Sequence, residues 1–378
     1  MTGVLFQLAV RNLLSHKSRA VVAGAGICFA IFLMFLQWGL LIAAKKESTL
    51  LYDYFDFDLA VVSQKYQLLY SPGNFDRVRM TQALALDLIE DSFSLNLDSG
   101  RWIDTQSLMM SSALIIGIDD KPNFITDVGI RKTMKKLIGS RSILVDQYSH
   151  ADFGLISVGE KAKLNNREVD IRGQFKLGLF FYAEGSVLVR NDVFYNLTNN
   201  HSRETNIGLI KLKVEADLTN AKAQLKDTLP DDVIILTKRE LIDQEQSYFV
   251  KVKPLGLMFE TGMFIAFFTG VVVLFQVMST EIGSRIKEYA TIKAMGYGAV
   301  FIYGVAIVQV LILSISAFIP AVVLSHALFL LIDSLTHLPI EITQNLFTMI
   351  LSLTLIMAVL AGVISLQKLS KVDPAELF

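Results

Sequence analysis

Residues able to act as acids, bases, nucleophiles or ligands are scattered along this chain without the spacing that catalysis requires. The five histidines, His16, His150, His201, His326 and His337, form no paired spacing suited to a metal ion. Cys28 is the single cysteine, which excludes an intramolecular disulfide and a thiolate cage. No G-x-x-x-x-G-K-[ST] run is present to cradle nucleotide phosphates, and Gly24 and Gly26 follow no strand, so they make no dinucleotide fingerprint. Neither H-E-x-x-H nor G-x-S-x-G occurs, nor any S-x-x-K with supporting partners. The adjacent pairs Asp119-Asp120 and Asp231-Asp232 read as solvated turns, not as acid–base couples. The chain is therefore not read as an enzyme by itself, and no catalytic residue, metal site or cofactor of its own is expected.

One short charged stretch, Glu281 to Gly298, is instead caught between two long apolar runs. Ile282, Ile286, Tyr289 and Ile292 recur at spacings of three or four and line one side of a helix. Glu281, Arg285, Lys287, Glu288 and Lys293 surround that stripe, and Arg285 and Glu288 are close enough along the helix to pair. Gly296 and Gly298 supply a stop before the next apolar run. Two readings fit: a helix that receives force from a cytoplasmic partner, and a connecting loop whose charges fix topology.

The elements around this stretch belong to a membrane protein. Of 378 residues, 52% are hydrophobic and 19% charged, and the charges fall in blocks. With a net charge of −1 and no basic patch interleaved with aromatics, nothing favours nucleic acid as a partner. Residues 1–19 carry Arg11, Lys17 and Arg19 and no acid. Wound as a helix they gather Leu5, Phe6, Ala9, Val10, Leu13 and Leu14 on one arc, which fits an interfacial helix on the cytoplasmic leaflet or a solvated helix packed on a partner. Residues 20–44 are uncharged and long enough, at roughly 37 Å, to cross a bilayer. Within them Ala20, Gly24 and Cys28 form a small-residue stripe that would admit a second helix closely, a candidate dimer-packing face.

Residues 45–253 read as an α+β domain large enough to bury its own core. Its opening is expected as strand Leu59–Ser63, helix Asp76–Asp91 and strands near Phe93–Asp104 and Leu108–Ile118. Its close repeats a related order: strand Ile207–Val214, helix Leu218–Leu229, strand Val233–Leu236. These halves flank a β-rich insertion at 141–193, and Glu240–Lys253 reads as a polar helix returning to the membrane. Three further spans follow at 254–280, 297–332 and 342–367, separated by the charged helix 281–296 and a short link 333–341. Pro320 is expected to break the third span. Gln37, Gln276, Gln309 and His326 are the polar residues within the spans, and His326 without a chain of partners makes no proton pathway. Lys and Arg occur before the first span, between the second and third, and in the tail 368–378, while the link holds only Asp333 and Glu341. The positive-inside rule thus places both termini and the 281–296 helix in the cytoplasm and the large domain outside.

This order of one span, a large external domain and three spans resembles the MacB/FtsX superfamily of ABC transporter permeases. Arg285, Glu288, Ala294 and Gly296 match its R-x-x-E…A-x-G coupling pattern, and the Glu288–Tyr297 run is closest to the DevC branch. Gly26-Ile27, Phe29-Ala30, Leu33-Met34-Phe35, Gln37 and Gly39 resemble that branch's first span. Gly173–Gly178 and Glu184-Gly185 resemble its external domain, and Asp373–Glu376 its tail, whereas most of 64–140 carries no matching motif. The resemblance implies a homodimer in a bacterial inner membrane, each protomer binding a separate ABC ATPase that holds ATP and Mg²⁺. It makes Glu281, Arg285, Glu288, Tyr289, Lys293 and Gly296 the ATPase-coupling residues. It implies Porter- and Sabre-like subdomains outside, the latter at 141–193, docking a periplasmic membrane-fusion adaptor that joins a TolC-like channel. ATP-driven motion would be passed outward mechanically to export a glycolipid or other amphiphile. Two related alternatives are an FtsX-type regulator of a cell-wall hydrolase and a lipoprotein-extracting permease.

Overall fold

The computed structural model of the chain describes residues 7, 11, 17–178, 183–252, 254–285, 288, 291 and 298–370. The chain divides into two compact units: residues 1–43, 255–333 and 340–378 form one, and residues 44–254 with 334–339 form the other.

In the α+β unit, helix α1 (Lys17–Asp53) contributes its last residues and is followed by β1 (Leu59–Ser63), β2 (Phe75–Asp76), α2 (Val78–Leu84), β3 (Ile89–Asp104) and β4 (Met110–Ile118). Next come α3 (Val128–Met134), β5 (Ser142–Asp146), β6 (Lys161–Leu164), β7 (Arg167–Phe175), β8 (Gly185–Arg190) and α4 (Asn191–Leu197). The unit closes with β9 (Glu204–Thr205), β10 (Ile207–Leu212), α5 (Leu218–Thr228), β11 (Val233–Thr237) and α6 (Lys238–Lys251). β1 pairs antiparallel with both β10 and β11, and β10 pairs with β3, so the two ends of the domain share one sheet. Side-chain alternation then sorts the cores. Leu59 and Val61 face a layer containing α2 and α5, while Ala60 and Val62 face Tyr52, Phe55 and Leu241.

Beyond the shared sheet, β3 continues into a second arrangement. The order β3-β4-β8-β5-β7-β6 returns to β3 through the pairs Trp102–Leu164, Ile103–Lys163 and Asp104–Ala162, closing a ring of six strands. Ile115, Ile143, Val145, Val187 and Val189 join one core with Trp102 and Phe153. Those two rings stack at 4.8 Å, and the Trp102 indole donates to the Phe153 carbonyl at 3.0 Å. The intervening Leu114, Ile116, Leu144 and Leu188 point to the core that holds the foot of α1. A closed ring leaves no unpaired edge for another chain to extend. The ring also corrects the expected insertion: it needs β4 and the distal half of β3 as well as 141–193, because its closing pairs join residues some sixty positions apart. The helix expected over Asp76–Asp91 is likewise cut to Val78–Leu84, since Ile89 onward is drawn into β3 by pairing with β10.

Helix α3 is held by its cap, the Asp127 carboxylate accepting from the Ile130 N–H at 2.7 Å. Loss of such a cap costs about 1 kcal/mol. Asp127→Ala is therefore expected to speed amide exchange across Ile130–Met134 about fivefold, with the barrel amides unchanged, as read by hydrogen–deuterium exchange.

Among the described residues, the other unit contains four helices long and apolar enough to cross a membrane: α1 from Ala20, α7 (Leu255–Ser284), α8 (Ala299–Thr336) and α9 (Gln344–Ser370). The α+β domain lies between the first and second in sequence. Small residues set the helix spacing. A Cβ on Gly39 would meet the Phe329 ring at 2.3 Å, and one on Gly270 would meet the Met357 sulfur at 2.2 Å and Ala30 at 3.2 Å. Phe318 bridges the bundle, its ring 5.8 Å from Phe35 and 5.3 Å from Phe347. Pro320 does not break the third span: α8 runs unbroken through it. Proline frees only the Ser316 carbonyl, and both residues lie on the exposed side of the helix.

Candidate functional site

The charged stretch begins inside α7, not after it. Glu281 to Ser284 complete the last turn of that helix, and Arg285 closes it through its N–H to the Ile282 carbonyl at 3.2 Å. Met278 and Ile282 are buried on the same side and anchor the turn to the bundle. Arg285 is drawn inward with them. Its Nε lies 2.6 Å from Glu281 Oε1 and one terminal nitrogen 3.2 Å from Glu288 Oε2. The Arg285 and Glu281 side chains are 9% and 14% exposed, whereas Glu288 is 64% exposed. Burial works to lower the guanidinium pKa, but the two carboxylates outweigh it and hold the value above the ordinary one.

This geometry divides the expected coupling residues. Glu288 is presented to solvent and can meet a partner. Arg285 is not; it is a strut that joins the end of α7 to whatever Glu288 belongs to. Tyr289, Lys293 and Gly296 lie outside the described residues, as do most of the expected helices 1–19 and 281–296 and the tail from Lys371.

The small-residue stripe is also split. Ala20 and Gly24 are half-buried, and among the described residues nothing lies within 4 Å of a Cβ placed on Gly24. Cys28 is buried inside its own bundle, so it is not offered to a second protomer. Among the polar span residues, His326 and Gln276 lie on exposed faces, Gln37 packs against Gly262, and Gln309 is 1% exposed with no hydrogen-bond partner for its Oε1 among the described residues. Among the described residues no group of three or more His, Cys, Asp or Glu is placed to hold a metal ion.

Two polar centres in the α+β unit escape sequence reasoning. Asp146, 1% exposed at the end of β5, accepts from the N–H groups of Tyr148, Leu177 and Gly178 and from the Ser186 hydroxyl at 2.8–3.2 Å. Burial raises its pKa, and those hydrogen bonds oppose the rise. It fixes one wall of a cavity of about 390 Å³ in which the His337 ring stacks on Tyr148 at 3.8 Å. The second centre is Glu245 on α6, also 1% exposed, whose Oε1 accepts from the hydroxyls of Tyr52, at 3.3 Å, and Tyr66. The two tyrosine oxygens are themselves 2.7 Å apart. Each centre assembles residues far apart in sequence, so no local spacing announces it.

Comparison with known proteins places one part of the chain. Residues 261–374, covering most of the last three spans and the charged stretch, match the family model described as FtsX-like permease C-terminal. The α+β unit is similar to domains of three solved structures. The periplasmic region of MacB from Actinobacillus actinomycetemcomitans is 11% identical, with a TM-score of 0.36, the match covering 50% of this chain and 92% of that one. The extracellular domain of the noncanonic ABC-type transporter YknZ from Gram-positive bacteria is 11% identical with a TM-score of 0.33, over 48% and 98%. A domain of a putative permease protein from Porphyromonas gingivalis is 14% identical with a TM-score of 0.30, over 48% and 92%.

Proposed function

We propose that this chain is the permease subunit of an ATP-driven ABC exporter of the MacB/FtsX type. The match of residues 261–374 to the FtsX-like permease C-terminal family carries this reading, and the order of one span, an α+β domain and three spans agrees with it. ATP and Mg²⁺ are bound by a separate ATPase subunit, for which this chain has no P-loop. Two protomers form the membrane unit in the bacterial inner membrane, with the termini and the charged stretch cytoplasmic and the α+β domain periplasmic. That domain docks a membrane-fusion adaptor, which leads to a TolC-like channel. A glycolipid or similar amphiphile of the DevC type is the cargo. Force from the ATPase enters at Glu288, and the Glu281–Arg285–Glu288 chain of ion pairs ties that entry point to the end of α7.

Affinity purification of the tagged protein in mild detergent, with partners identified by mass spectrometry, tests the assembly. An ATPase together with an adaptor is the expected result. An ATPase with a hydrolase activator and no adaptor would replace the exporter with a regulator, and no ATPase at all would remove the coupling reading. Glu288→Lys is expected to weaken ATPase association about tenfold, as loss of an exposed interfacial charge does. Its thermal melting should match that of the parent.

A further inference from the structure

Among the described residues, every strand of the large sheet but one has a neighbour on each side. Because β6 returns to β3, the order β11-β1-β10-β3-β4-β8-β5-β7-β6 leaves β11 (Val233–Thr237) with a single partner, β1. The bonds between these two use the even-numbered residues. The Gln64 N–H donates to the Asp232 carbonyl at 3.2 Å, and the Lys238 N–H to the Asp58 carbonyl at 3.1 Å. Successive residues of an antiparallel strand turn their backbone groups to opposite sides, so Val233, Ile235 and Thr237 direct theirs outward. The Thr237 N–H is taken by the Glu240 carboxylate at 2.8 Å, in the cap of α6, and the Val233 N–H reaches the Pro230 carbonyl at 3.5 Å. At Ile235, between them, neither the N–H nor the C=O has a partner among the described residues. Its neighbour Ile234 is 37% exposed.

The charges around this open edge say what fits it. Asp231-Asp232 precede the strand and Lys238-Arg239 follow it, equally spaced about Ile235. Two identical strands paired antiparallel about a two-fold axis at Ile235 set Asp231 against Arg239, Asp232 against Lys238, Val233 against Thr237 and Ile234 against Leu236. Every charge then meets its opposite, and the free Ile235 N–H of each strand meets the free Ile235 C=O of the other. Moving the axis by one residue sets Asp232 against Leu236 or Lys238 against Ile234, and a parallel in-register pair sets acid on acid. Lys238 and Asp232 also have partners of their own, the Phe55 carbonyl at 2.9 Å and Arg79 at 3.2 Å. Arg239, 93% exposed with Asp243 only at 3.9 Å, and the exposed Asp231 are left to bridge the two copies.

We propose that β11 pairs with β11 of a second copy of this chain, joining two α+β domains into one continuous sheet across a two-fold axis at Ile235. A single hydrogen-bonded residue pair flanked by ion pairs is a small contact, suited to protomers already held close by another one. The proposal therefore rests on the reading that two protomers form the membrane unit, and it gives that dimer a second contact, made by the α+β domains.

The test uses full-length protein in mild detergent, carrying Cys28→Ser together with Ile234→Cys and Leu236→Cys. Across the axis these two positions face each other at about 4.5 Å between Cα atoms, within disulfide range. Either cysteine alone meets its twin only diagonally, at about 7–8 Å. Mild oxidation is expected to cross-link the double-cysteine chain about tenfold more than either single. In the chain with its native strand, Arg239→Glu should speed amide exchange at Ile235 about threefold, and Asp231→Lys combined with Arg239→Glu should restore the slow rate. The two charges stand at opposite ends of a five-residue strand, so such a rescue arises only between copies. Absence of the cross-link in a protein that native mass spectrometry finds dimeric would overturn the strand contact and leave the membrane dimer standing. A monomer would overturn both. Slow exchange at Ile235 that the charge swap fails to restore would give the edge to another protein and overturn the self-pairing.

Discussion

Arg285→Glu is expected to abolish ATPase-coupled activity and also to loosen the end of the second span, whereas Glu288→Lys should lose only the first. The difference follows from burial. Arg285 has both carboxylate partners within 3.2 Å and a side chain only 9% exposed, so reversal sets a third carboxylate in a poorly solvated place beside the largely buried Glu281, with the exposed Glu288 close by. Breaking a buried pair by removing one partner costs about 3 kcal/mol, roughly a hundredfold in the opening of the last turn. Exchange at Met278–Arg285 reports that opening directly. Arg285→Lys keeps the charge but cannot hold two carboxylates in one rigid fork, so an intermediate loss is expected. Slow exchange in Arg285→Glu, equal to that of the parent, would mean that Arg285 is not a strut. Undiminished ATPase association in both reversals would mean that this stretch does not couple.

How much of this was legible in the sequence depends on the range of the forces involved. The four spans follow from hydropathy and length alone, because a bilayer demands about twenty apolar residues whatever else the chain does. The strands Leu59–Ser63 and Val233–Thr237 and the helix Leu218–Thr228 are likewise visible, since alternation and an Asp217 cap are local signals. The pairing of Arg285 with Glu288 was readable from spacing. Its inward burial was not, because the last turn of α7 is fixed by Met278 and Ile282 against other helices. Closure of the six-stranded ring rests on pairs between Trp102–Asp104 and Ala162–Leu164, whose register no local pattern specifies. Pro320 misled for a related reason. A proline stops a helix in water, but a span has no better use for its backbone groups than to remain helical.

Glu245 gives the largest expected dependence on pH. Burial drives its carboxyl up to about 7 from the usual 4.5, while hydrogen bonds from the Tyr66 hydroxyl, the Leu69 N–H and the Tyr52 hydroxyl pull the other way without matching it. Among the described residues Oε2 has no hydrogen-bond partner, so the ionised carboxylate would be only half satisfied. With the folded-state pKa raised, the folded form binds the proton more tightly than the open form. The resulting stabilisation is complete below about pH 4.5 and is lost as pH rises through about 7. Across that window it amounts to about 3 kcal/mol, or some hundredfold in the opening of α6. Amide exchange in 241–249 of the full chain, corrected for the intrinsic pH dependence of exchange, should therefore show α6 opening more readily at pH 8 than at pH 5. Glu245→Gln should flatten that slope, because it keeps the shape and an acceptor but cannot ionise. Tyr66→Phe should move the transition upward in pH by removing a donor that favours the anion. A slope that persists unchanged in Glu245→Gln would place the responsible group elsewhere. Because α6 packs with the foot of α1 through Leu241 and Tyr52, this proton sits where the chain leaves one long helix and returns toward the next. Protonation of Glu245 is thus expected to tighten the clasp between the two chain ends of the α+β domain.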